Sequence, residues 1–378
     1  MITKPEEKVA SFYELSGVCC GDNKENTLVR WIRTFKATLL FKSNKLLFIR
    51  GVTFTDLSSE VRAAREMSVE ENKLPPQQSS GGVYVNPNGM PMTADGCNLH
   101  MDLRKGNIAQ RIVTVGPSSR AEKIAVHLDA SPAPQRLTSG RGFLTITGFY
   151  EGTAVSIVSI GIGPSMMDLF VRETRAVTEG PLVICRFGTC GGISADAPPG
   201  SVVVASLGSA YVTRNPDAFI HRYQGSVADA DGSRCKESIP ISEAYNFSHV
   251  CPADEGLSSL VERFMAEALG PESVVPGTNV TAESFYSSQG RIYEKFEDHN
   301  NSLVDAVLSK YSNAKTLEME TFQLFHLARC CNDPVHASAA AIVVASRTTN
   351  STISEEALET AESLGGKAVL QAVCRLSL

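Results

Sequence analysis

Short apolar runs alternate with stretches of helical periodicity from about residue 100 to the C-terminus. The apolar runs have the length and composition of buried strands, and they lie at Arg111–Val115, Phe143–Phe149, Ala154–Ile160, Leu182–Cys185, Ser201–Ala205, Val274–Val280 and Ala339–Ala345. The helical periods lie at Arg120–Leu128, Met166–Val177, Leu257–Leu269, Ser302–Leu308, Phe322–Cys331 and Glu355–Arg375. This alternation predicts an α/β domain in which helices cover both faces of a sheet. Ligands of such sheets bind where strands open into loops, so these loops are the places to search for a site.

The first hundred residues lack this pattern. Residues 1–73 mix charges with short apolar runs, and the run Thr34–Val52 fits either a strand pair or a helix. Residues 74–98 are rich in Pro, Gly, Ser and Asn, which predicts a linker or an extended arm. We therefore expect an N-terminal extension of unknown role (1–73), a linker (74–98) and one main domain (99–378).

The composition argues against several classes of protein. The 378 residues are 43% hydrophobic and 20% charged with a net charge of −6, which suits a globular protein without a broad basic surface for nucleic acid. The start MITKPEEKVA does not resemble a signal peptide, and the most apolar early run, Thr38–Val52, is too short and too charged to span a membrane. The ten cysteines are scattered without metal-ligand spacing, so we expect no zinc site and reduced thiols in the cytosol.

Two segments that follow predicted strands combine an arginine with glycines, a hydroxyl or a helix start. This combination suits phosphate, because a glycine-rich bend or a helix N-terminus presents N–H groups and a guanidinium donates two parallel hydrogen bonds. The candidates are Gly116 and Arg120 in the loop Thr114–Ala125, and Arg186 and Thr189 in the loop Cys185–Gly192. Arg141, just before the strand Phe143–Phe149, by itself fits a plain surface arginine. Each segment alone also fits an ordinary turn with a surface arginine, but two in one sheet favour phosphate binding.

The segment Glu283–Arg291 has side chains that suit a planar base. Gln289 and Arg291 lie two positions apart, so in an extended segment they point to one side, near the aromatic face of Phe285. Their donors and acceptors match uracil, which presents one N–H between two carbonyls. A polar surface loop would have a similar composition.

Two further strand ends carry charged residues. Glu318 and Glu320 flank Met319 and fit a glycosidase acid–base pair, a ribose-holding site, or simply a helix N-terminus enriched in acids. Arg347 follows the apolar strand that ends at Ser346. An arginine at such a place favours a functional role, although it also fits a structural ion pair.

In order and spacing, these segments resemble the nucleoside phosphorylase family, which includes the uridine phosphorylases, over roughly residues 100–378. The matching positions are Gly116/Arg120, Arg141, Gly161-Ile162-Gly163, Arg186–Thr189, Phe285/Gln289/Arg291, Glu318-Met319-Glu320 and Arg347. The resemblance implies a three-layer αβα sandwich with a central mixed sheet. It also implies phosphorolysis of uridine to uracil and ribose 1-phosphate, with inorganic phosphate as co-substrate and no metal or organic cofactor.

The resemblance also implies a role for each matching residue. Phosphate is expected to contact Gly116, Arg120, Arg186, Thr189 and, in the neighbouring subunit's site, Arg141. Ribose is expected to contact Met319, Glu320 and a partner's His100, and uracil to contact Phe285, Gln289, Arg291 and Arg347. The expected catalytic residues are Arg186, Glu320 and Arg291.

Some positions qualify these expectations. Purine-cleaving relatives carry an aspartate after a serine where this chain has Arg347, which argues against a purine leaving group. Gly142 replaces the glutamate of a cation site in bacterial uridine phosphorylases, and Pro164 follows the Gly-Ile-Gly segment where a glycine is usual. Thr213–Cys251 is longer than in the bacterial hexamers, so we expect a homodimer. The resemblance implies sites shared between subunits and a role in pyrimidine nucleoside salvage, and we expect a cytoplasmic location. The alternatives are a purine-type phosphorylase or nucleosidase of the same fold, and a non-catalytic storage or binding protein.

Overall fold

The computed structural model describes residues 84–225 and 238–378, together with the backbone of two strands at 38–42 and 45–49. The chain divides into two units, residues 1–78 and 79–378. In the first unit, β1 (Thr38–Lys42) pairs antiparallel with β2 (Lys45–Ile49). Of the two structures that the sequence allowed here, the strand pair is the one observed.

The described part of the second unit contains one twelve-stranded sheet. Its strands are β3 (Arg111–Val115), β4 (Gln135–Thr138), β5 (Leu144–Tyr150), β6 (Thr153–Ser159), β7 (Leu182–Gly192), β8 (Val202–Val204), β9 (Ser209–Arg214), β10 (Tyr245–Phe247), β11 (Val274–Pro276), β12 (Thr278–Ala282), β13 (Ala314–Glu318) and β14 (Val335–Ser346). The order is β10-β9-β12-β13-β7-β3-β6-β5-β4; off this path, β14 pairs with β7 and β8, and β8 pairs with β11. The sheet is mixed, because β3 and β6 are parallel whereas β5 and β6 are antiparallel.

Helices cover both faces of this sheet. They are α1 (Ser118–Ala125), α2 (Pro164–Ala176), α3 (Pro216–Gly225), α4 (Ile241–Ala244), α5 (Glu255–Leu269), α6 (Leu303–Lys310), α7 (Thr321–Cys330) and α8 (Glu355–Arg375). Apolar side chains of α1, α5 and α8 share one core cluster with the sheet, and those of α2 and α7 share another. The predicted fold class, a three-layer αβα arrangement with a central mixed sheet, is confirmed.

The C-terminal helix α8 packs unusually close to its neighbours. A Cβ on Gly365 would lie 2.6 Å from Cζ of Phe187 in β7, and one on Gly366 would lie 2.5 Å from Cγ1 of Ile124 in α1. Only glycine fits at either position without a shift of the neighbouring side chain. The two glycines therefore allow α8 to lie directly against the strand and the helix that carry Arg186 and Arg120.

The predicted loop Cys185–Gly192 is wrong, because these residues continue strand β7. Strand β14 pairs with β7 in parallel, from Val335 opposite Leu182 to Ser346 opposite Gly192. Because β14 runs along the whole of β7, the backbone of the glycine-rich segment finds hydrogen-bond partners and stays extended, although its side chains do not favour a strand. Arg186 consequently lies within a strand and not at its end.

The predicted strand Val274–Val280 is also wrong in extent, since it forms two strands separated at Gly277. The first, β11, pairs with β8, and the second, β12, pairs with β9 and β13. The two strands pair with different neighbours in the sheet, so the apolar run Val274–Val280 does not form one continuous strand.

The end of the predicted linker is ordered against the second unit's main body. Asn98 is fully buried and its Nδ2 donates a hydrogen bond to the backbone carbonyl of Glu173 in α2 at 3.0 Å. Residues 74–83 lie outside the described residues, so the division at residues 73 and 98 stays a prediction. Within the ranges that the structure describes, no helix has both the length and the apolar character needed to cross a bilayer.

Candidate active site

The sheet opens where β7 changes its neighbours. On one edge β7 pairs with β3 as far as Arg186, opposite Thr114, and then with β13 only from Gly191, opposite Leu317. Residues 187–190 of β7 lie between these two pairings. The ends of β3, β6 and β13 meet at this opening, which is where a sheet of this class binds its ligand.

Arg186 lies at the opening, with only 5% of its surface exposed. Its Nε donates to Glu318 Oε2 at 3.3 Å, and its Nη2 donates to Glu320. Gly188 leaves room for the guanidinium, since a Cβ there would lie 3.1 Å from Nη2. The remaining nitrogen, Nη1, is buried without a hydrogen-bond partner among the described residues. An unpaired donor on a buried cation is the kind of group that an anionic ligand satisfies.

The two carboxylates beside Arg186 differ in how fully they are engaged. Glu318 accepts hydrogen bonds from Asn279 Nδ2 at 2.7 Å, from Thr281 Oγ1 at 2.6 Å and from the backbone N–H groups of residues 320 and 321. Burial alone would raise the pKa of Glu318, but the charge of Arg186 and these hydrogen bonds outweigh burial and hold it below the usual carboxyl range. Glu318 is therefore an ionised anchor with its oxygens occupied.

Glu320 has fewer partners. It is the residue from which α7 begins, and its Oε1 accepts the backbone N–H of Gly163 at 2.5 Å. Burial raises the pKa of Glu320, and the charge of Glu318 adds to this, while Arg186 acts in the opposite direction. Gly163 adopts a φ of 106°, a conformation that favours glycine, and this turns its N–H toward the carboxylate. Of the two carboxylates, Glu320 has the oxygen capacity left for a ligand.

Arg120 completes this cluster from helix α1. Its side chain is buried, and its Nε donates to Glu362 Oε1 of α8 at 2.9 Å. Burial lowers the pKa of Arg120, Glu362 raises it, and the charges of Arg186 and Glu320 also act on it. The structure therefore brings Arg120, Arg186 and Glu320 into one electrostatic unit.

The other predicted phosphate contacts lie beside this unit. Gly116 follows β3, and its carbonyl accepts the N–H of Gly161, so that the first loop and the Gly-Ile-Gly segment lie side by side. A Cβ on Gly116 would touch the carbonyl oxygen of Gly161 at 3.4 Å. Thr189 lies on β7 three positions after Arg186 and is half-buried.

The residues predicted to bind the base form a second cluster. Arg291 Nη1 donates to Gln289 Oε1 at 2.6 Å and to the carbonyl of Phe285 at 2.7 Å, and its guanidinium lies 3.7 Å from the centroid of the Phe285 ring. Arg347 donates to the backbone carbonyls of Gln289 at 2.9 Å and Gly290 at 3.0 Å. Burial, and then the charge of Arg347, lower the pKa of Arg291 to about 10. All four predicted residues are thus in contact.

The predicted extended conformation of this segment is wrong. Ser287–Gln289 form a 3-10 turn, and Gly290 adopts a left-handed conformation with a φ of 63°. Asn300 holds the turn, because its Nδ2 donates to the carbonyls of Ser287 at 2.9 Å and Arg291 at 3.0 Å. The Gln289 and Arg291 side chains meet because the turn brings Arg291 back, not because alternate residues of a strand share a side.

Of the remaining predicted residues in the described ranges, none makes a side-chain hydrogen bond or ion pair with Arg120, Arg186 or Glu320. Met319 is half-buried between the two glutamates. The Nδ1 of His100 lies 2.5 Å from Glu173 Oε1. Arg141 is exposed in the turn before β5, and its side chain makes no hydrogen bond or ion pair with a described residue. A hydrogen bond from Gly140 N–H to Asp102 at 2.8 Å joins the segments that carry His100 and Arg141.

Four residues that support the site escaped the sequence analysis. They are Asn279 and Thr281, which hold Glu318, Glu173, which holds His100, and Glu362, which holds Arg120. The only signal in the sequence was a polar residue at an otherwise apolar position of a strand or helix. Over residues 84–225 and 238–378, the structure contains no group of three or more His, Cys, Asp or Glu side chains arranged to hold a metal ion.

Several known proteins are similar to this chain in sequence or structure. A solved structure from a study of two diverse uridine phosphorylases in the oomycete Phytophthora capsici is 40% identical, with a TM-score of 0.69 over 78% of this chain and 100% of that chain. The uridine phosphorylase of Thermococcus kodakarensis is 24% identical over 262 residues, or 69% of this chain and 81% of that protein.

Shorter matches include enzymes with different substrates. The uridine phosphorylase of Treponema pallidum is 33% identical over 110 residues, which are 29% of this chain and 41% of that protein. A DeoD-type purine nucleoside phosphorylase of Geobacillus sp. is 30% identical over 147 residues, which are 39% of this chain and 61% of that protein. Each of these two matches spans less than two thirds of the relative.

The sequence model of the phosphorylase superfamily matches residues 110–375. This range includes the opening in the sheet, the Arg120–Arg186–Glu320 cluster and the turn that carries Gln289 and Arg291. The chain belongs to the phosphorylase superfamily.

Proposed function

We propose that this nucleoside phosphorylase cleaves uridine with inorganic phosphate, giving uracil and ribose 1-phosphate. The observation that carries the proposal is the buried, unpaired Nη1 of Arg186 beside Glu320. Arg186 lies on strand β7, and Arg347 of the base cluster packs against the same strand at Gly191. A Cβ on Gly191 would lie 3.4 Å from the Arg347 Cγ. The cluster proposed to bind phosphate and the cluster proposed to bind the base therefore adjoin the same strand.

Phosphate is the nucleophile in this scheme. We assign its binding to Arg120, Arg186, Thr189 and the backbone at Gly116, which hold it below the sugar in line with the bond to be broken. A phosphate oxygen forms the new bond to C1′ of ribose as the C1′–N1 bond breaks, and the bond's electron pair goes to N1 of uracil. No cofactor other than the co-substrate phosphate takes part in the proposal.

Charge stabilisation divides between the two clusters. Positive charge that develops on the ribose ring is opposed by phosphate and by Glu320, while Met319 packs against the sugar. Negative charge that develops on uracil is dispersed by Arg291 and Gln289, which are donors held in place before the reaction. Phe285 packs against the base. Uracil then takes up a proton and leaves.

We further propose a cytoplasmic homodimer that acts in pyrimidine nucleoside salvage. Arg141 is exposed and free of side-chain partners within the described chain, as expected of a residue that contributes to the site of a second copy. His100 lies on the segment joined to that of Arg141. Sedimentation analysis tests this assembly, and a hexamer in solution would contradict it.

A single assay separates uridine phosphorolysis from its alternatives. Uridine and inosine are followed by ultraviolet absorbance with and without phosphate. We expect loss of uridine only when phosphate is present. Cleavage of inosine alone would identify a purine nucleoside phosphorylase, the activity for which the Geobacillus relative is named. Cleavage without phosphate would identify a nucleosidase. If neither nucleoside is cleaved under any condition, the protein is a non-catalytic storage or binding protein.

The Arg291→Ala variant tests the proposed base site. We expect the KM for uridine to rise by about tenfold or more, with the KM for phosphate nearly unchanged, because a charge-assisted hydrogen bond contributes about 1.5–3 kcal/mol. Arg263→Ala is a matched control, since Arg263 also lies over an aromatic ring, that of Phe264 at 4.4 Å, but on the exterior of α5. Equal losses for uridine and phosphate would show that the base-site assignment is wrong.

A further inference from the structure

Glu362 of the C-terminal helix is a buried carboxylate that the scheme above leaves without a role. It is 7% exposed, and it lies between two cations of helix α1. Its Oε1 accepts from Arg120 Nε at 2.9 Å, and its Oε2 accepts from Lys123 Nζ at 2.7 Å. Removing a carboxylate from water is costly unless oppositely charged partners form hydrogen bonds with it. Both oxygens of Glu362 accept such a hydrogen bond.

The position of Glu362 is set by the close packing of α8. Gly365 and Gly366, three and four positions further along the helix, bring α8 against Phe187 of β7 and Ile124 of α1. Neighbouring residues of α8, among them Ala361 and Val369, are buried in the same core. A carboxylate on this rigid surface has little freedom, so it can hold another side chain in one orientation.

Only one of the three nitrogens of Arg120 is used by Glu362. The Nε is hydrogen-bonded, whereas Nη1 and Nη2 have no hydrogen-bond partner among the described residues. Arg120 as a whole is only 6% exposed, but neither Nη nitrogen is completely enclosed by the described residues, which leaves room for contact with a small anion. An arginine held by its Nε presents its two Nη groups together, which is the geometry that binds two oxygens of one phosphate.

Lys123 explains how a carboxylate can lie so near an anion site. Glu362 by itself would cancel the charge of Arg120 and repel phosphate. The second ion pair, with Lys123, adds a positive charge beside Glu362. Lys123 Nζ also lies 3.8 Å from Glu359 Oε1, but the Glu359 side chain is 66% exposed, so solvent screens its charge more strongly. Glu362 can therefore orient Arg120 without removing the positive potential that attracts phosphate.

We propose that Glu362 is a positioning residue for phosphate, which holds Arg120 through Nε so that both Nη groups face the anion beside Arg186. This proposal rests on the proposed function in one respect, the assignment of Arg120 to phosphate. It makes a prediction opposite in sign to simple electrostatics. If Glu362 acted only as a nearby negative charge, its removal would tighten phosphate binding, whereas loss of a positioning residue weakens it.

The test compares Glu362→Ala and Glu362→Gln with the wild-type protein. Phosphate affinity is measured by calorimetry and as the KM for phosphate, together with the KM for uridine and kcat. We expect Glu362→Ala to weaken phosphate binding about tenfold, equivalent to about 1.4 kcal/mol, with the KM for uridine nearly unchanged. Glu362→Gln keeps an acceptor for Nε without the charge, so we expect a smaller loss in the same direction.

Glu122→Ala is the matched control, since Glu122 is likewise a carboxylate paired with an arginine, but it lies on α1 and its partner Arg136 is on the exterior. It should leave phosphate affinity unchanged. Circular dichroism verifies that each variant is folded, and if the alanine variant is not, the glutamine variant decides the sign. Phosphate binding that is unchanged or tighter in Glu362→Gln would overturn the proposal, as would an equal loss for uridine. If the wild-type protein binds phosphate but cleaves no nucleoside, the proposed function fails while the affinity comparison still decides the role of Glu362.

Discussion

Replacing Gly365 by alanine would add a methyl group at the tightest contact between α8 and the sheet. On the present backbone its Cβ would lie 2.6 Å from Cζ and 3.1 Å from Cε2 of Phe187. Carbon atoms in contact prefer about 3.5–4.0 Å, so α8 or the ring must shift by about 1 Å. Overpacking of this kind costs about 1–3 kcal/mol, whereas replacing a glycine inside a helix returns about 1 kcal/mol. We therefore expect the free energy of unfolding to fall by about 1 kcal/mol.

Urea unfolding followed by far-ultraviolet circular dichroism measures this change. The control is Gly256→Ala in α5, where the new Cβ would lie 3.5 Å from Asp254 Oδ1 and from Leu376 Cδ1, an ordinary contact distance. This control should lose no stability. Because Phe187 adjoins Arg186, we also expect Gly365→Ala to raise the KM for phosphate. A Gly365→Ala protein as stable as the control would refute the argument that close helix packing requires glycine here.

Three further predictions concern the base site, the carboxylate and the thiols. Arg347→Ala removes the hydrogen bonds to the turn at Gln289, so the KM for uridine should rise about tenfold while phosphate affinity is retained; equal losses would place Arg347 elsewhere in the mechanism. Burial raises the pKa of Glu320, and in the proposed function its ionised form opposes the charge on ribose, so kcat/KM should fall as pH drops through a value above the usual carboxyl range. In Glu320→Gln the residual rate should lack this acid limb. The exposed Cys330 should react with a thiol reagent in the native protein, whereas Cys185, whose pKa burial raises, should react only after unfolding; early labelling of Cys185 would contradict the buried position of β7.

Where local sequence and long-range packing agree, the elements were predictable. Arg111–Val115 and Glu355–Arg375 match β3 and α8 residue for residue, since a short β-branched run and a long amphipathic period each favour one structure. Strands β9 and β13 escaped prediction because each is polar in part and is held by its neighbours in the sheet. The same reason explains β7, whose glycine-rich half is a strand only because β14 lies beside it.

The site could be predicted as a set of residue types but not as a set of contacts. The arginines and glutamates that follow predicted apolar runs were recognisable from their places in the sequence, and the topology then brings Arg186 to Glu320. The contact between Arg120 and Glu362 joins residues 242 positions apart, and no local pattern indicates it. The pairing of Gln289 with Arg291 was anticipated, but the turn that produces it depends on Asn300, which follows an intervening loop.

The change of neighbours along β7 also limits how this protein can vary in evolution. Between Arg186, opposite β3, and Gly191, opposite β13, the number of residues in β7 is fixed by these two pairings. On the other edge β14 pairs with the same stretch and has one extra residue, Val344, opposite the step from Cys190 to Gly191. Inserting or deleting one residue there would turn every side chain beyond it to the opposite face of the sheet. Either Arg186 or the glycine that accommodates Arg347 would then leave the opening. Related sequences should therefore exchange residues in this stretch without gaining or losing any, while gaps accumulate in the surface connections.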